Sequence, residues 1–209
     1  MITKICGIKN TETLLCCEKN NVNFFGMIFY QKSPRYISIE IAKKLQKRSK
    51  DLNIEGVGVF VNKNINEIQE IINKLQLKFI QLHGSEDELY IETLKKIGVK
   101  IIKSISLRNE KDLNKIDNFK SVDYFLFDYK PLKNELPGGN AKSFNWHILK
   151  NLKTNKSWFL SGGININNID QIYDDIKPFG VDLSSGVEKE LGIKDNDIIN
   201  NFMGKLNHA

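Results

Sequence analysis

The sequences WFLSGG at residues 158–163 and VDLSSG at residues 181–186 decide the fold of this 209-residue chain. Each places a short apolar run directly before a turn of serine and glycine, as expected where a buried strand ends in a tight turn. Similar apolar runs precede them, so the predicted strands are 3–8, 24–29, 56–61, 79–83, 100–106, 124–128, 158–161 and 181–184. Continuous apolar runs of this kind are typical of parallel strands buried on both faces.

Amphipathic segments alternate with these strands. The predicted helices are 41–50, 66–75, 87–97, 94–100, 167–176 and the tail from Asp195. This alternation predicts a parallel sheet, which could be a closed barrel or an open, doubly wound sheet. The count of eight strands favours the barrel, and no Gly-x-Gly-x-x-Gly follows the first strand to favour a dinucleotide fold. We therefore predict an α/β protein, a (β/α)8 TIM barrel forming a single domain over residues 1–209, close to the shortest length of about 200 residues for this fold.

Composition and charge narrow the functional classes. The net charge is +6 and the sequence pI is about 9.0, but the lysines are scattered along amphipathic segments. That pattern indicates a solvated surface that attracts an anionic small molecule, and we expect no nucleic-acid partner. The three cysteines have neither disulfide nor zinc-site spacing, so no metal is expected. No apolar run approaches the roughly 18 residues of a membrane span, and no signal peptide is visible, so we expect no membrane partner and a cytoplasmic location.

Polar residues stand at the predicted strand ends, which is where TIM barrels place their chemistry. The turns after the seventh and eighth strands contain Gly162, Gly163, Ser184, Ser185 and Gly186. Glycine lets backbone N–H groups approach an anion closely, and these two loops form the common phosphate site of such barrels. Each turn alone could be a simple βα connection, but the pair favours a phosphate site.

Two strand-end residues could transfer protons. Cys6 ends the first strand, where a buried hydrophobic role is the more common interpretation of a free cysteine. Asp128 ends a strongly apolar run, where a carboxylate is costly unless it is paired or functional. A helix cap or a salt bridge with Lys130 is the structural alternative for Asp128, and we favour function.

Two further residues could bind the substrate. Arg35 follows the second strand, and its guanidinium suits a carboxylate, although a lone arginine is more often simply solvated. His83 ends the fourth strand and could orient a ligand or serve as a packed polar group. The connection 129–143, rich in Lys, Pro, Gly and Asn, is predicted to be a mobile active-site loop.

The ordered set of motifs resembles the phosphoribosylanthranilate isomerase family along the whole chain. The matching stretches are KICGI (4–8), GMIFY (26–30) with SPRY (33–36), GVFVN (58–62), QLHG (81–84), Asp128 with Gly138-Gly139, LSGG (160–163) and GVDLSSGVE (180–188). Other sugar-phosphate barrels share the phosphate turns but lack the cysteine of the first strand.

This resemblance implies an Amadori rearrangement in tryptophan biosynthesis, without a cofactor. Cys6 would be the general base and Asp128 the general acid. Arg35 would hold the anthranilate carboxylate, and the two glycine turns would hold the phosphate of a sugar-phosphate substrate. The thiol must ionise although its ordinary pKa is about 8.5. We expect a monomer, with a weak homodimer as the alternative.

The sequence departs from the family pattern at three places. Asn140-Ala141 stand where the family usually has Ser/Thr-Gly, and Asn145 stands where Asp is common. Ile166 stands where the family often has a Pro after Gly-Gly.

Competing functions are expected to differ at the proton-transfer residues. The related isomerase of histidine biosynthesis, or a barrel performing both reactions, is expected to carry Asp in place of Cys6. A non-catalytic sugar-phosphate sensor would not need both Cys6 and Asp128, and a nucleic-acid binder rests only on the net charge.

Overall fold

Eight parallel strands close into a barrel in the computed structural model, which describes residues 1–132, 138–139 and 142–208. Each strand pairs with the next, and β8 pairs with β1. The strands are β1 (Ile2–Cys6), β2 (Phe24–Ile28), β3 (Glu55–Phe60), β4 (Phe79–Leu82), β5 (Lys100–Leu107), β6 (Tyr124–Tyr129), β7 (Trp158–Leu160) and β8 (Gly180–Leu183). The predicted single-domain TIM barrel is thus confirmed, and the alternative of an open, doubly wound sheet is excluded.

Helices follow the strands on the outside of the barrel. They are α1 (Thr11–Lys19), α2 (Ile39–Ser49), α3 (Ile65–Leu75), α4 (Glu88–Lys95), α5 (Asp170–Asp175) and α6 (Asn196–His208). Short 3₁₀ helices, Glu110–Asn118 and Trp146–Asn151, follow β5 and β6 in place of full α-helices. A hairpin of β9 (Glu188–Glu190) and β10 (Ile193–Lys194) lies between β8 and α6.

The predicted helix over 94–100 is wrong. Helix α4 ends at Lys95, and β5 begins at Lys100. Gly98 between them has φ +89°, a left-handed conformation that terminates helices and favours glycine. The following Val-Lys-Ile-Ile sequence then continues as a strand, in agreement with its β-branched residues.

Side chains of alternate strand residues fill the barrel interior. An aromatic group closes its N-terminal end, where the ring centroids of Phe24 and Phe79 are 5.1 Å apart and those of Tyr124 and Phe159 are 6.0 Å apart. A buried cluster of Val57, Ile102, Leu126 and Phe159 packs against it. The C-terminal end is polar, because the same alternation places polar and charged side chains there.

Candidate active site

A cavity opens at the C-terminal ends of the strands. Five of the predicted site residues line it: Cys6, Arg35, His83, Asp128 and Ser184. A second, smaller cavity adjoins it, and its lining includes Gly162, Gly163, Ser184, Ser185 and Gly186. Asp128 and Ser184 border both cavities, so the structure brings all nine predicted residues into one continuous site.

Cys6 is the last residue of β1 and points into the larger cavity, where it is 6% exposed. Gly7 follows with φ +87°, so the chain turns away and leaves the thiol at the mouth of the barrel. Burial raises the pKa of the Cys6 thiol above its ordinary value, and the positive charge of Lys4 opposes this rise. The thiol is thus less acidic than a free cysteine, in spite of its neighbouring cation.

Gly26 makes the space that the thiol occupies. It is the register partner of Cys6 on β2. A Cβ added at Gly26 would lie 2.7 Å from Cys6 Sγ and 3.0 Å from Cys6 Cα. Because one of these contacts is to backbone, a rotamer change of the thiol cannot relieve both.

Gly26→Ala should therefore displace Cys6. We expect a loss of about 1–3 kcal/mol in the free energy of unfolding, together with a fall in kcat in the molecules that remain folded. Urea denaturation and steady-state kinetics on one preparation measure the two effects. Gly58→Ala is the matched control, because its Cβ would meet only side-chain ends of Leu77 and Phe60. Unchanged kcat in folded Gly26→Ala would contradict this role of the glycine.

Asp128 lies across the cavity on β6 and is 4% exposed. Its Oδ1 accepts a hydrogen bond from the backbone N–H of Tyr129 at 2.8 Å, and its Oδ2 lies 3.3 Å from His83 Nε2. The alternative prediction of a salt bridge between Asp128 and Lys130 is wrong, because Lys130 Nζ lies 3.1 Å from Asp112 Oδ1. The carboxyl group is therefore held by the site itself and faces the cavity.

His83 is oriented by a neighbouring amide on β4. Gln81 Nε2 lies 2.8 Å from His83 Nδ1, and with the amide as donor the ring proton resides on Nε2. Nε2 then donates toward Asp128 Oδ2. This chain fixes the ring plane and the position of the Asp128 carboxyl.

Arg35 is 2% exposed, although it lies in a loop after β2. Its Nε and Nη2 donate to the Glu188 carboxylate at 2.7 and 2.8 Å, and Nη2 also donates to the Gly139 carbonyl oxygen at 3.2 Å. Lys194 Nζ binds the same carboxylate at 2.6 Å. Burial acts to raise the pKa of Glu188, but hydrogen bonds from these two cations bring it below its ordinary value. Arg35 is thus held rigidly at the rim of the cavity instead of being solvated.

The two glycine turns meet at the smaller cavity. Gly162 and Gly163 have φ +86° and +73°, values that glycine adopts without strain. A Cβ at Gly186 would lie 1.9 Å from the carbonyl oxygen of Ile164, so the β7 and β8 turns pack with their backbones in direct contact. Only glycine permits this close approach. Backbone atoms of the two turns therefore line the smaller cavity.

Sequence reasoning missed the charged residues that support the site. Lys4 and Asp182 form an ion pair at 2.9 Å inside the barrel, and Glu188 binds both Arg35 and Lys194. A lysine two residues before Cys6 in an apolar strand was a usable signal, because alternation places both side chains on one face. The partners themselves depend on barrel closure and left no local signal.

The structure also locates Cys17 and two of the positions that depart from the family pattern. Cys17 is buried in α1, and burial raises its pKa to about 12. Asn145 caps the following 3₁₀ helix by accepting a hydrogen bond from the N–H of His147 at 3.1 Å, so an amide performs this role. Ile166 packs against the core. The departure at Asn140-Ala141 and residues 133–137 of the predicted mobile loop lie outside the described residues.

The part of the chain that the structure describes contains neither a metal-binding cluster nor a membrane-spanning helix. No group of three or more His, Cys, Asp or Glu side chains there could hold a metal ion. In the same residues, no helix has the length and apolar character to cross a bilayer.

The fold and the site define a (β/α)8-barrel enzyme of proton-transfer chemistry. The family model for N-(5'phosphoribosyl)anthranilate (PRA) isomerase matches residues 3–205. The N-(5'-phosphoribosyl)anthranilate isomerase of Clostridium acetobutylicum is 39% identical over 205 residues, which are 97% of this chain and 96% of that protein. The chain therefore belongs to the N-(5'-phosphoribosyl)anthranilate isomerase family.

Solved structures give the same relationship. The phosphoribosyl anthranilate isomerase of Thermotoga maritima has a TM-score of 0.90 and 32% identity, with 100% of both chains covered. A phosphoribosyl anthranilate isomerase solved in complex with reduced 1-(o-carboxyphenylamino)-1-deoxyribulose 5-phosphate has a TM-score of 0.85 and 31% identity, again over 100% of both chains. Conservation of the fold thus extends over the whole barrel.

Proposed function

We propose that this chain converts N-(5-phosphoribosyl)anthranilate to 1-(2-carboxyphenylamino)-1-deoxyribulose 5-phosphate in tryptophan biosynthesis, with Cys6 as general base and Asp128 as general acid. It is an isomerase that interconverts an aldose and a ketose derivative. The observation that carries the assignment of roles is the placement of the Cys6 thiol and the Asp128 carboxyl in the same cavity, beside a second cavity lined by glycine turns.

The reaction requires one proton donor and one proton acceptor. Asp128 gives a proton to the furanose ring oxygen as the C1′–O bond breaks, and the nitrogen lone pair forms a C1′=N bond. The Cys6 thiolate then removes the proton from C2′, and the C–H electron pair moves to form C1′=C2′ while the nitrogen becomes neutral. The enolamine finally tautomerises to the ketone: the 2′-hydroxyl gives its proton to the Asp128 carboxylate, and C1′ takes a proton from the Cys6 thiol, which returns both groups to their starting states. Atoms and electrons balance through proton transfers alone, so the proposed reaction needs no metal or organic cofactor.

The two cavities match the two ends of this substrate. Ile28, Val59 and Val61 form an apolar wall in the larger cavity near Arg35, which suits an aromatic ring bearing a carboxylate. The smaller cavity, with Gly162, Gly163, Ser184, Ser185 and Gly186, suits the phosphate. The ribosyl carbons would then lie between them, where Asp128 borders both cavities.

Loss of phosphoribosylanthranilate fluorescence tests the reaction directly. The substrate is made in situ from anthranilate, and purified protein is added. A fast decay that Cys6→Ser abolishes supports both the reaction and the base. A folded wild-type protein that produces no decay would overturn the proposed function while leaving the fold unaffected.

Arg35→Ala should raise KM about 10- to 100-fold and change kcat by less than about threefold. Loss of a hydrogen bond to a charged group costs about 1.5–3 kcal/mol in binding, and the carboxylate is remote from the reacting carbons. Steady-state kinetics separates the two constants. Arg48→Ala is a matched control, because Arg48 is an exposed arginine on α2 that pairs with Asp51. A kcat defect with unchanged KM would rule out the carboxylate role.

The assembly and location are also proposals. We place the chain in the cytoplasm as a monomer, with a weak homodimer as the alternative. A solved relative from Thermotoga maritima is described as a dimeric enzyme. Light scattering after gel filtration, over a wide range of protein concentration, distinguishes a monomer from a dimer.

A further inference from the structure

An ion pair lies inside the barrel directly beneath the candidate active site. Lys4 Nζ is 2.9 Å from Asp182 Oδ1, and the two side chains are 0% and 5% exposed. The residues are register partners on β1 and β8. Because burying two ions is costly and an apolar pair of similar size is often as stable, stability alone does not account for this pair.

The geometry connects the ion pair to Cys6. Lys4 and Cys6 are separated by one residue on β1, so their side chains project to the same face of the strand. Burial acts to lower the pKa of Lys4, but Asp182 and Cys6 together bring it above its ordinary value. Asp182 borders the same cavity as Cys6. The thiol therefore lies next to a buried cation that is itself held by a buried anion.

We propose that Lys4 and Asp182 are positioning residues that set the acidity of Cys6, an inference that rests on the proposed role of Cys6 as the base. Lys4 stabilises the thiolate from beneath the cavity. Asp182 fixes the position of the Lys4 ammonium. Its own negative charge limits how far Lys4 stabilises the Cys6 thiolate. The pair leaves the sulfur basic enough to accept the C2′ proton.

Five other ionisable side chains surround the thiol in the part of the chain that the structure describes. They are Arg35, His83, Asp128, Glu188 and Lys194. Burial raises the pKa of Cys6 most, Lys4 lowers it, Asp182 raises it, and smaller effects of Lys194 and Arg35 lower it. Glu188 binds both of the last two cations, so their charge is largely neutralised at the rim. Lys4 and Asp182 are therefore the charges through which the acidity can be changed.

The pH dependence of alkylation of Cys6 by iodoacetamide tests the proposal without an activity assay. Light and heavy reagent quantify each tryptic peptide, and Cys6 falls in a different peptide from Cys16 and Cys17, which share residues 10–19. Those two cysteines report general accessibility in the same molecule. The midpoint of the pH profile reports acidity, whereas its plateau reports access to the thiol.

The variants should give an ordered result. At neutral pH we expect alkylation of Cys6 to fall at least about tenfold in Lys4→Met, corresponding to a midpoint about one pH unit higher. Asp182→Asn should lower the midpoint, because a negative charge is removed. The double variant Lys4→Met/Asp182→Leu has no unpaired buried charge and should lie between Lys4→Met and wild type. Lys4→Arg, which retains the charge, should stay close to wild type.

A purely structural role predicts a different outcome. Loosening of the barrel would raise the plateau for Cys6, Cys16 and Cys17 together and leave the midpoint of Cys6 unchanged. A midpoint that does not move in folded Lys4→Met, or in the double variant where the single one fails to fold, overturns the proposal. If the midpoints move as expected but the wild type has no isomerase activity, the proposed function fails and the effect of the pair stands.

Discussion

Cys6→Ser should lower kcat at least about 100-fold at neutral pH, the usual contribution of a positioned base. The hydroxyl has nearly the size of the thiol but is far less acidic, so it cannot supply the anion that removes the C2′ proton. Gly26 leaves the space for the side chain unchanged, and we expect the fold to be retained. Single-turnover kinetics, with circular dichroism as the check on folding, measures the effect.

The same experiment has an internal control and a pH signature. Cys16→Ser alters a half-buried cysteine on α1, outside both cavities, and should leave kcat unchanged. Burial raises the pKa of Cys6, so kcat/KM of the wild type should rise from neutral to alkaline pH as the thiolate forms. That rise should be absent in Cys6→Ser. Near-wild-type rates in the serine variant would remove Cys6 from the mechanism.

Much of the barrel could be predicted from the sequence because its strands are continuous apolar runs. Each predicted strand overlaps an observed one, with ends that differ by at most two residues. The 3₁₀ helices after β5 and β6 were not predicted, because short tight helices have no extended apolar periodicity. The error at 94–100 has a local cause, since Gly98 separates a helix from a strand of similar composition.

The candidate site was predictable where residues at strand ends carry the chemistry. Cys6 and Asp128 end apolar strands, and closure of the barrel brings them to one cavity. The supporting ion pairs were not predictable, because Lys4 and Asp182 are 178 positions apart, and Arg35 and Glu188 are 153 apart. Such contacts follow from strand register around the closed barrel, which a single sequence does not specify.

Asp128→Asn should also lower kcat at least about 100-fold, because an amide cannot deliver a proton to the furanose oxygen. The substitution keeps the shape of the side chain, and its amide oxygen can still accept the hydrogen bond from the Tyr129 N–H. The amide nitrogen would then face His83 Nε2, so two donors would meet unless the ring changes tautomer. This cost should appear mainly as lower stability.

A control separates loss of the acid from loss of a carboxylate outside the cavity. Asp112→Asn removes a carboxylate that binds Lys115 and Lys130 beyond the cavity, so it should affect stability and leave kcat unchanged. Because Asp128 acts on ring opening, a substrate generated directly as the open-chain Schiff base should be converted by Asp128→Asn much faster than the closed furanose. Cys6→Ser should remain slow with both substrates, because deprotonation at C2′ follows ring opening. Equal impairment of Asp128→Asn on both forms would contradict the assignment of Asp128 as the acid for ring opening.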